Sequence, residues 1–327
     1  MNADASRRGA LLALLAAALP LPASAQADSF PTRPIKLVAG FTPGGATDIT
    51  ARLLANQMGR ILGQPVVVEN KPGASGNIGA EFVARAPADG YTIMYTTSTV
   101  HGINPNLFAR LPYDPVKDFA PIMRVGKTTM VLIANNDFPA KTVGELIAQA
   151  RARPGRVAYA SAGPGSTFHL TTALFAHRAQ VELLHVPYKG SGPALSNLMS
   201  GDVQVMFDNI SSSQSLIRAG KVRPIAVAAT ARSAVLPEVP TIAESGLPGF
   251  GIYSWGGLVA PAHTPREVIR RLNEAANKAL QTEEVRQAMR DNASEPQGGT
   301  PEEFAAFIRS EMAFWGDAVK LTGAKAD

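Results

Sequence analysis

The 327-residue chain has no cysteine, which excludes disulfide scaffolds and Cys-ligated zinc or iron–sulfur centres. Aromatics (6%) and charged residues (17%) are also scarce, yet 46% of the chain is hydrophobic. A disordered chain would be poorer in aliphatics and richer in charge. The 29 Gly and 25 Pro follow no repeat, which rules out a collagen-like or low-complexity chain. Behind the net charge of +5 there is no basic run interleaved with aromatics. The densest cluster, Arg266, Arg270 and Arg271 with Glu267 among them, has the spacing of a solvated helix face. Nucleic-acid binding needs a concentrated basic stripe, so no such partner is expected. Beyond residue 25 no apolar run approaches the roughly twenty residues that span a bilayer. What remains is a globular chain long enough for about two domains.

The first residues read as an export signal. Arg7 and Arg8 precede an apolar stretch over 10–19, and Ala23-Ser24-Ala25 fits an A-x-A cleavage site. A basic start, a short apolar run and a small-residue site in that order predict a cleaved signal peptide over 1–25. The lack of cysteine suits an oxidising compartment.

The rest alternates strand and helix patterns. Strand-like runs at 35–39, 66–68 and 91–97 are separated by a helical pattern of Ile49, Leu53, Leu54, Met58, Ile61 and Leu62 and by a second helix around Ile78, Phe82 and Val83. A second set of strands is expected at 131–134, 157–160, 181–186, 203–207 and 225–229. Thr142 with Glu145, Thr264-Pro265-Arg266-Glu267 and Thr300-Pro301-Glu302-Glu303 read as helix starts with capping boxes. This order predicts two α/β units with parallel sheets, the second beginning near 124–129 and the last stretch returning to complete the first.

Two strand–loop–helix junctions stand out. In Gly40–Asp48 and Ser161–Thr167 a strand runs into a small, Gly-rich loop that opens a helix. Helix N-termini present free amides and a positive dipole end to an anion. Gly44, Gly45, Gly163 and Gly165 allow close backbone approach, and Ser161, Ser166 and Thr167 add hydroxyls. Such loops lie at the carboxyl ends of strands, where ligands bind in parallel α/β sheets. A carboxylated small molecule fits two such loops facing each other.

Competing chemistries fail on particular residues. Gly40-x4-Gly45 has Walker A spacing, but Ala46 stands where the lysine belongs. The segment from Gly163 to Phe168 lacks the last glycine of a dinucleotide fingerprint, and Gly73-Ala74-Ser75-Gly76 is one place out of a G-x-S-x-G elbow. The five histidines include no H-E-x-x-H. No metal or cofactor is expected. His169, in the first turn after Ser166-Thr167, is placed to donate to a bound carboxylate. Asp208 ends a strand, and Trp255 and Trp315 read as packing residues.

The chain also carries Phe41-x-Pro43-Gly44-Gly45-x-x-Asp48, Val68-Glu69-Asn70-Lys71-Pro72-Gly73-Ala74-x-Gly76, Ala88-Asp89-Gly90-Tyr91-Thr92 and Leu111-Pro112-Tyr113-Asp114-Pro115. Val186-Pro187-Tyr188-Lys189-Gly190, Pro237-x-Val239-Pro240-Thr241 and Trp255-Gly256-Gly257-Leu258-x-Ala260-Pro261 follow. Together these motifs resemble the Bug-type receptors, the extracytoplasmic solute-binding proteins of tripartite tricarboxylate transporters. The resemblance implies an α/β, two-lobed periplasmic binding protein of type II-like, flytrap form, each lobe a mainly parallel sheet flanked by helices. It implies lobes over 26–125 with 228–327 and over 126–227. It also implies a periplasmic monomer without catalytic activity, which hands a small carboxylate to a membrane permease of large and small subunits or to a sensor. Carried over residue by residue, the clamp comprises Phe41, Gly44, Gly45, Thr47 and Asp48 in the first loop, and Ser161, Gly165, Ser166, Thr167 and His169 in the second. Asp48 is expected to fix the loop rather than touch an anion. Ser98, His101, Tyr188, Lys189 and Asp208 would read the distal end of the solute. Asp208 argues for an amino-bearing solute and Lys189 for a second carboxylate. Ala46 stands where the family often has proline. The alternative is a secreted α/β enzyme acting on small carboxylates, with Ser166 and His169 as its pair.

Overall fold

The computed structural model describes residues 30–326. The expected signal peptide lies outside the described residues.

Two twisted sheets share one long strand. In the first, β1 (Ile35–Ala39) lies between β2 (Val66–Asn70) and β3 (Thr92–Thr97), all parallel. The second holds β5 (Ala158–Ser161), parallel to β6 (Leu184–Pro187) and to β7 (Val205–Asn209), with β8 (Arg223–Val227). The shared strand is β4 (Phe119–Ala134), sixteen residues long. Its first part, up to Thr129, pairs antiparallel with β9 (Tyr253–Pro261), which in turn pairs antiparallel with β3. From Met130 onward it pairs antiparallel with β7, and from Val131 with β8. A short β10 (Ser294–Pro296) adds to the first part. The strand order is β2-β1-β3-β9-β4-β7-β5-β6, so the molecule widens outward on both sides from the β9–β4 pair.

Three features depart from the sequence reading. The strand expected at 131–134 is the end of β4, and the second-unit start expected near 124–129 falls inside it. Pro121 and Gly126 hid this strand; the register shifts beside each absorb the missing donor and the tight approach of Glu295. β9 was not anticipated, because Gly256 and Gly257 interrupt its pattern. Each sits where a side chain of another element leaves no room for a Cβ: the Tyr95 ring over Gly256 and the Phe304 ring over Gly257. Both sheets are thus mixed, with antiparallel strands at the centre and parallel ones outside.

The first sheet is covered on both faces. Period-two alternation sends Ile35, Leu37, Ile93 and Tyr95 to a core under the helices Ala46–Leu62 and Arg266–Gln281. Val38 and Met94 point to the opposite core, with Val83, Phe304 and Ile308 from the helices Asn77–Ala84 and Pro301–Thr322. The second sheet buries Leu132, Phe207, Phe175 and Leu198 in its own cluster. The long C-terminal helix opens with the expected capping box: Thr300 accepts from the Glu303 amide, and the Glu303 side chain accepts from the Thr300 amide. At Thr264 the box does not form. That hydroxyl donates to the Pro261 carbonyl, and Pro265 caps the helix without a side-chain bond.

Candidate functional site

The carboxyl ends of β1, β3, β5 and β7 converge between the sheets, and four helices start there. Gly45 precedes the helix Ala46–Leu62, Ser166 caps Thr167–Ala179, Gly190 precedes Ser191–Ser200, and Asn209 precedes Ile210–Arg218. They surround a cavity of about 60 Å³ for water centres, room for a few waters and suited to a small molecule rather than a polymer. Phe41, Gly45, Thr47, Ser98, Ser166 and Thr167 line it, and no charged side chain does. Thr42 and Thr97 also line it, and their hydroxyl oxygens are buried without a hydrogen-bond partner among the described residues.

The first loop is fixed from behind. Asp48 is buried and stands outside the cavity lining. Its carboxylate accepts from the Gly44 amide (3.1 Å), the Arg52 guanidinium (2.9 Å) and the Asn70 amide (3.0 Å). The same Asn70 nitrogen donates to the Phe41 carbonyl at 3.0 Å, closing the loop at both ends. Burial works against the Asp48 charge, but these donors outweigh it and hold the carboxyl below its ordinary value. Gly44 has φ +83° and nothing where a Cβ would stand; the left-handed turn itself calls for glycine there.

A layer of imidazoles supports the second loop. The Ser161 hydroxyl lies 2.6 Å from His185 Nε2. The Gly165 amide donates to His169 Nδ1 at 3.0 Å, and the two histidine rings stack at 4.1 Å with Tyr159 beyond. Burial drives the His169 pKa down to about 4, and burial with the neighbouring His169 drives His185 to about 3. Both are neutral at physiological pH, and neither lines the cavity. His169 therefore supports the loop through Nδ1. Ser166 Oγ accepts from the His169 backbone amide, not from its ring, so the nucleophile–base contact an enzyme reading needs is not made.

The two loops meet at hydroxyls. Thr167 Oγ1 lies 2.6 Å from Ser98 Oγ and 3.1 Å from Thr99 Oγ1, and the Thr167 amide donates to Thr99. Residues Ser98–Ile103 form a π-helical turn. That turn carries His101 away into the core, where it is fully buried, bonded to Thr96 and edge-on to Phe119 at 4.8 Å. Tyr188 and Lys189 line a second cavity. Asp208 is fully buried and accepts from Ser191 (2.9 Å) and Ser212 (2.6 Å).

Burial pushes the Asp208 carboxyl up to about 6, partly offset by these hydroxyls. The folded state therefore holds a proton that the unfolded chain releases near pH 4. Asp208 should lower stability by about 3 kcal/mol as pH rises from 4 through 6. Urea unfolding of Asp208→Asn should lack that loss; an unchanged slope against pH would refute it.

Sequence reasoning missed Thr42, Thr97, Ser191, Asn209, Ser254 and Trp255. Asn209 follows Asp208 and, by strand alternation, faces the other way. Ser254 stands just before the motif that opens at Trp255, and Trp255 itself reads as a packing residue. The Trp255 indole does pack, donating to buried Glu311 at 2.7 Å, but another part of it walls the cavity.

An uncharged cavity at strand ends, ringed by helix starts, is built to receive a small molecule. Residues 50–323 match the family described as "Tripartite tricarboxylate transporter family receptor". Protein BugT of Bordetella pertussis is 38% identical over 317 residues, 97% of each chain. Two solved structures from Rhodopseudomonas palustris superpose closely. Rpa4515 with adipate has a TM-score of 0.88 and 38% identity, covering 90% of this chain and 99% of its own. MatC with bound malate has a TM-score of 0.85 and 36% identity, covering 89% and 100%. The chain belongs to the tripartite tricarboxylate transporter receptor family, whose members are periplasmic solute-binding proteins and not enzymes. The fold is that of a periplasmic binding protein, and the Bug-type resemblance holds across it.

Proposed function

We propose that the protein is exported, captures a small carboxylate in the inner cavity, and delivers it to a membrane permease or a sensor. The observation that carries this reading is the convergence of four helix N-termini on a cavity with no charged side chain. Each N-terminus acts as roughly half a positive charge, so an anion is stabilised without a lysine or arginine. Phe41, Gly45, Thr47, Ser98, Ser166 and Thr167 touch the solute in this reading. Gly44, Asp48, Ser161, Gly165 and His169 hold the loops in shape. The Ser191 hydroxyl proton is committed to Asp208, which leaves the first-turn amides of that helix for the ligand. Adipate and malate, bound by the two similar receptors, are small carboxylates of this kind.

The test is thermal unfolding of refolded, ligand-stripped protein against small mono-, di- and tricarboxylates and their amides. An acid at a hundredfold its dissociation constant stabilises by about 2.7 kcal/mol, a rise of several degrees for a chain of this size. The acid should shift the midpoint and its amide should not. No shift with any acid would overturn the proposal.

A further inference from the structure

Among the described residues three carboxyl groups are buried: Asp48, Asp208 and Glu311. Such groups are costly unless they are paired. Asp48 holds the first loop, and Asp208 holds Ser191 at the cavity wall. Glu311 lies in the C-terminal helix Pro301–Thr322, and its Oε2 accepts from two indoles, Trp255 Nε1 at 2.7 Å and Trp315 Nε1 at 3.1 Å. These are the only tryptophans of the chain. Burial raises the Glu311 pKa, and the two indoles and the Arg124 charge oppose that shift.

Each indole leads to a different wall. Ser254, Trp255 and Gly256 of β9 line the inner cavity in succession. The Trp255 ring lies edge-on to Phe304 (5.9 Å) and Phe307 (5.2 Å) of the C-terminal helix. Trp315 belongs to the core of the second sheet, and a Cβ on Gly102 would run into its ring. Gly102 lies in the π-helical turn Ser98–Ile103, whose Ser98 lines the cavity and bonds Thr167 of the second loop. One carboxylate oxygen therefore joins the β9 wall to the Ser98 turn, while Glu311 itself lines neither cavity. We propose that Glu311 is a positioning residue for solute binding, which holds these two walls in one arrangement through the two indoles. This inference rests on the reading of the inner cavity as the solute site. Packing against Phe304 and Phe307 buries the Trp255 ring but is non-directional. The bond to Glu311 is directional, so it sets how the ring sits behind the wall.

Calorimetric titration of succinate, adipate and citrate tests this on the wild type, Glu311→Leu, Glu311→Asp and Glu311→Gln. Leucine removes the acceptor, aspartate draws it back by a methylene, and glutamine keeps an acceptor at full reach without the charge. The best-binding acid should lose about tenfold in affinity with leucine and with aspartate, the scale of one hydrogen bond to a charged group. Glutamine should stay within about threefold of the wild type. In a Trp255→Phe background, Glu311→Asp should cost less than about twofold further, because the path through that indole is already cut. The aspartate and glutamine arms decide the matter should the leucine variant not fold. Wild-type binding that survives in all three variants within about threefold overturns the role and leaves the solute site standing. So does a glutamine variant as weak as the aspartate one, or an undiminished loss in the Trp255→Phe background. Wild-type protein that binds none of the three acids overturns the solute site and the role together.

Discussion

Asp48→Ala is expected to weaken carboxylate binding about a hundredfold and to cost roughly 3 kcal/mol of stability, although Asp48 does not face the cavity. The carboxylate gathers the Gly44 amide, the Arg52 guanidinium and the Asn70 amide. Without it the Gly44 and Asn70 donors lose their acceptor, and the turn that aims the Gly45–Thr47 amides is no longer held. Binding then includes the entropy of ordering that turn. Arg52→Ala serves as the control. Its side chain is half exposed, and its loss leaves the Gly44 and Asn70 bonds in place, so affinity should fall by less than about tenfold. The pH dependence has a definite sign. A carboxyl held below its ordinary value contributes fully above about pH 4 and loses its contribution as pH falls through its folded value. The acid limb of the stability curve should therefore shrink in Asp48→Ala. Calorimetric affinity within about threefold of wild type would show that the loop needs no anchor.

Gly190→Val should abolish binding by a different route. Gly190 precedes the helix Ser191–Ser200 in one lobe, and a Cβ on it would run into Thr42 of the first loop in the other. Thr42 can turn aside for a single methyl, but not for a branched side chain that also meets the Thr42 backbone. The added bulk stands between the lobes, outside either core, so the chain should fold and the closed arrangement should be blocked. We expect affinity to fall by about a hundredfold or more, with the unliganded midpoint lowered by several degrees because Gly190 has φ +157°, which valine adopts only with strain. Scattering should report a larger radius of gyration with ligand present than for the wild type. Tight binding by Gly190→Val would mean that the loops need not meet.

Legibility in the sequence followed the range of the interactions. The loops at 41–48 and 161–167 were readable because a strand pattern, a glycine run and a helix pattern adjoin within a few residues. The Ser166 and Thr300 caps were readable for the same reason: donor and acceptor lie three residues apart. The helix face of Leu54, Met58 and Leu62 is buried as its period implies. β9 and the first part of β4 were not readable. Their glycines answer to Tyr95, Phe304 and Glu295, remote in sequence. His101 illustrates the same limit. The resemblance put it at the pocket with Ser98, but a π-helical turn changes which side of the chain faces inward.

By itself the sequence determined the alternating α/β order, the two anion-friendly loops and the family. Those properties reside in local periodicity and short motifs. Only the tertiary structure decided which side chains share the cavity. It turned His169 and Asp208 into supports, brought Thr42, Thr97, Asn209 and Trp255 to the wall, and separated Lys189 into an outer chamber. The reason is that a pocket between two sheets is made by strand order and register, and these are settled by packing between residues far apart in the chain.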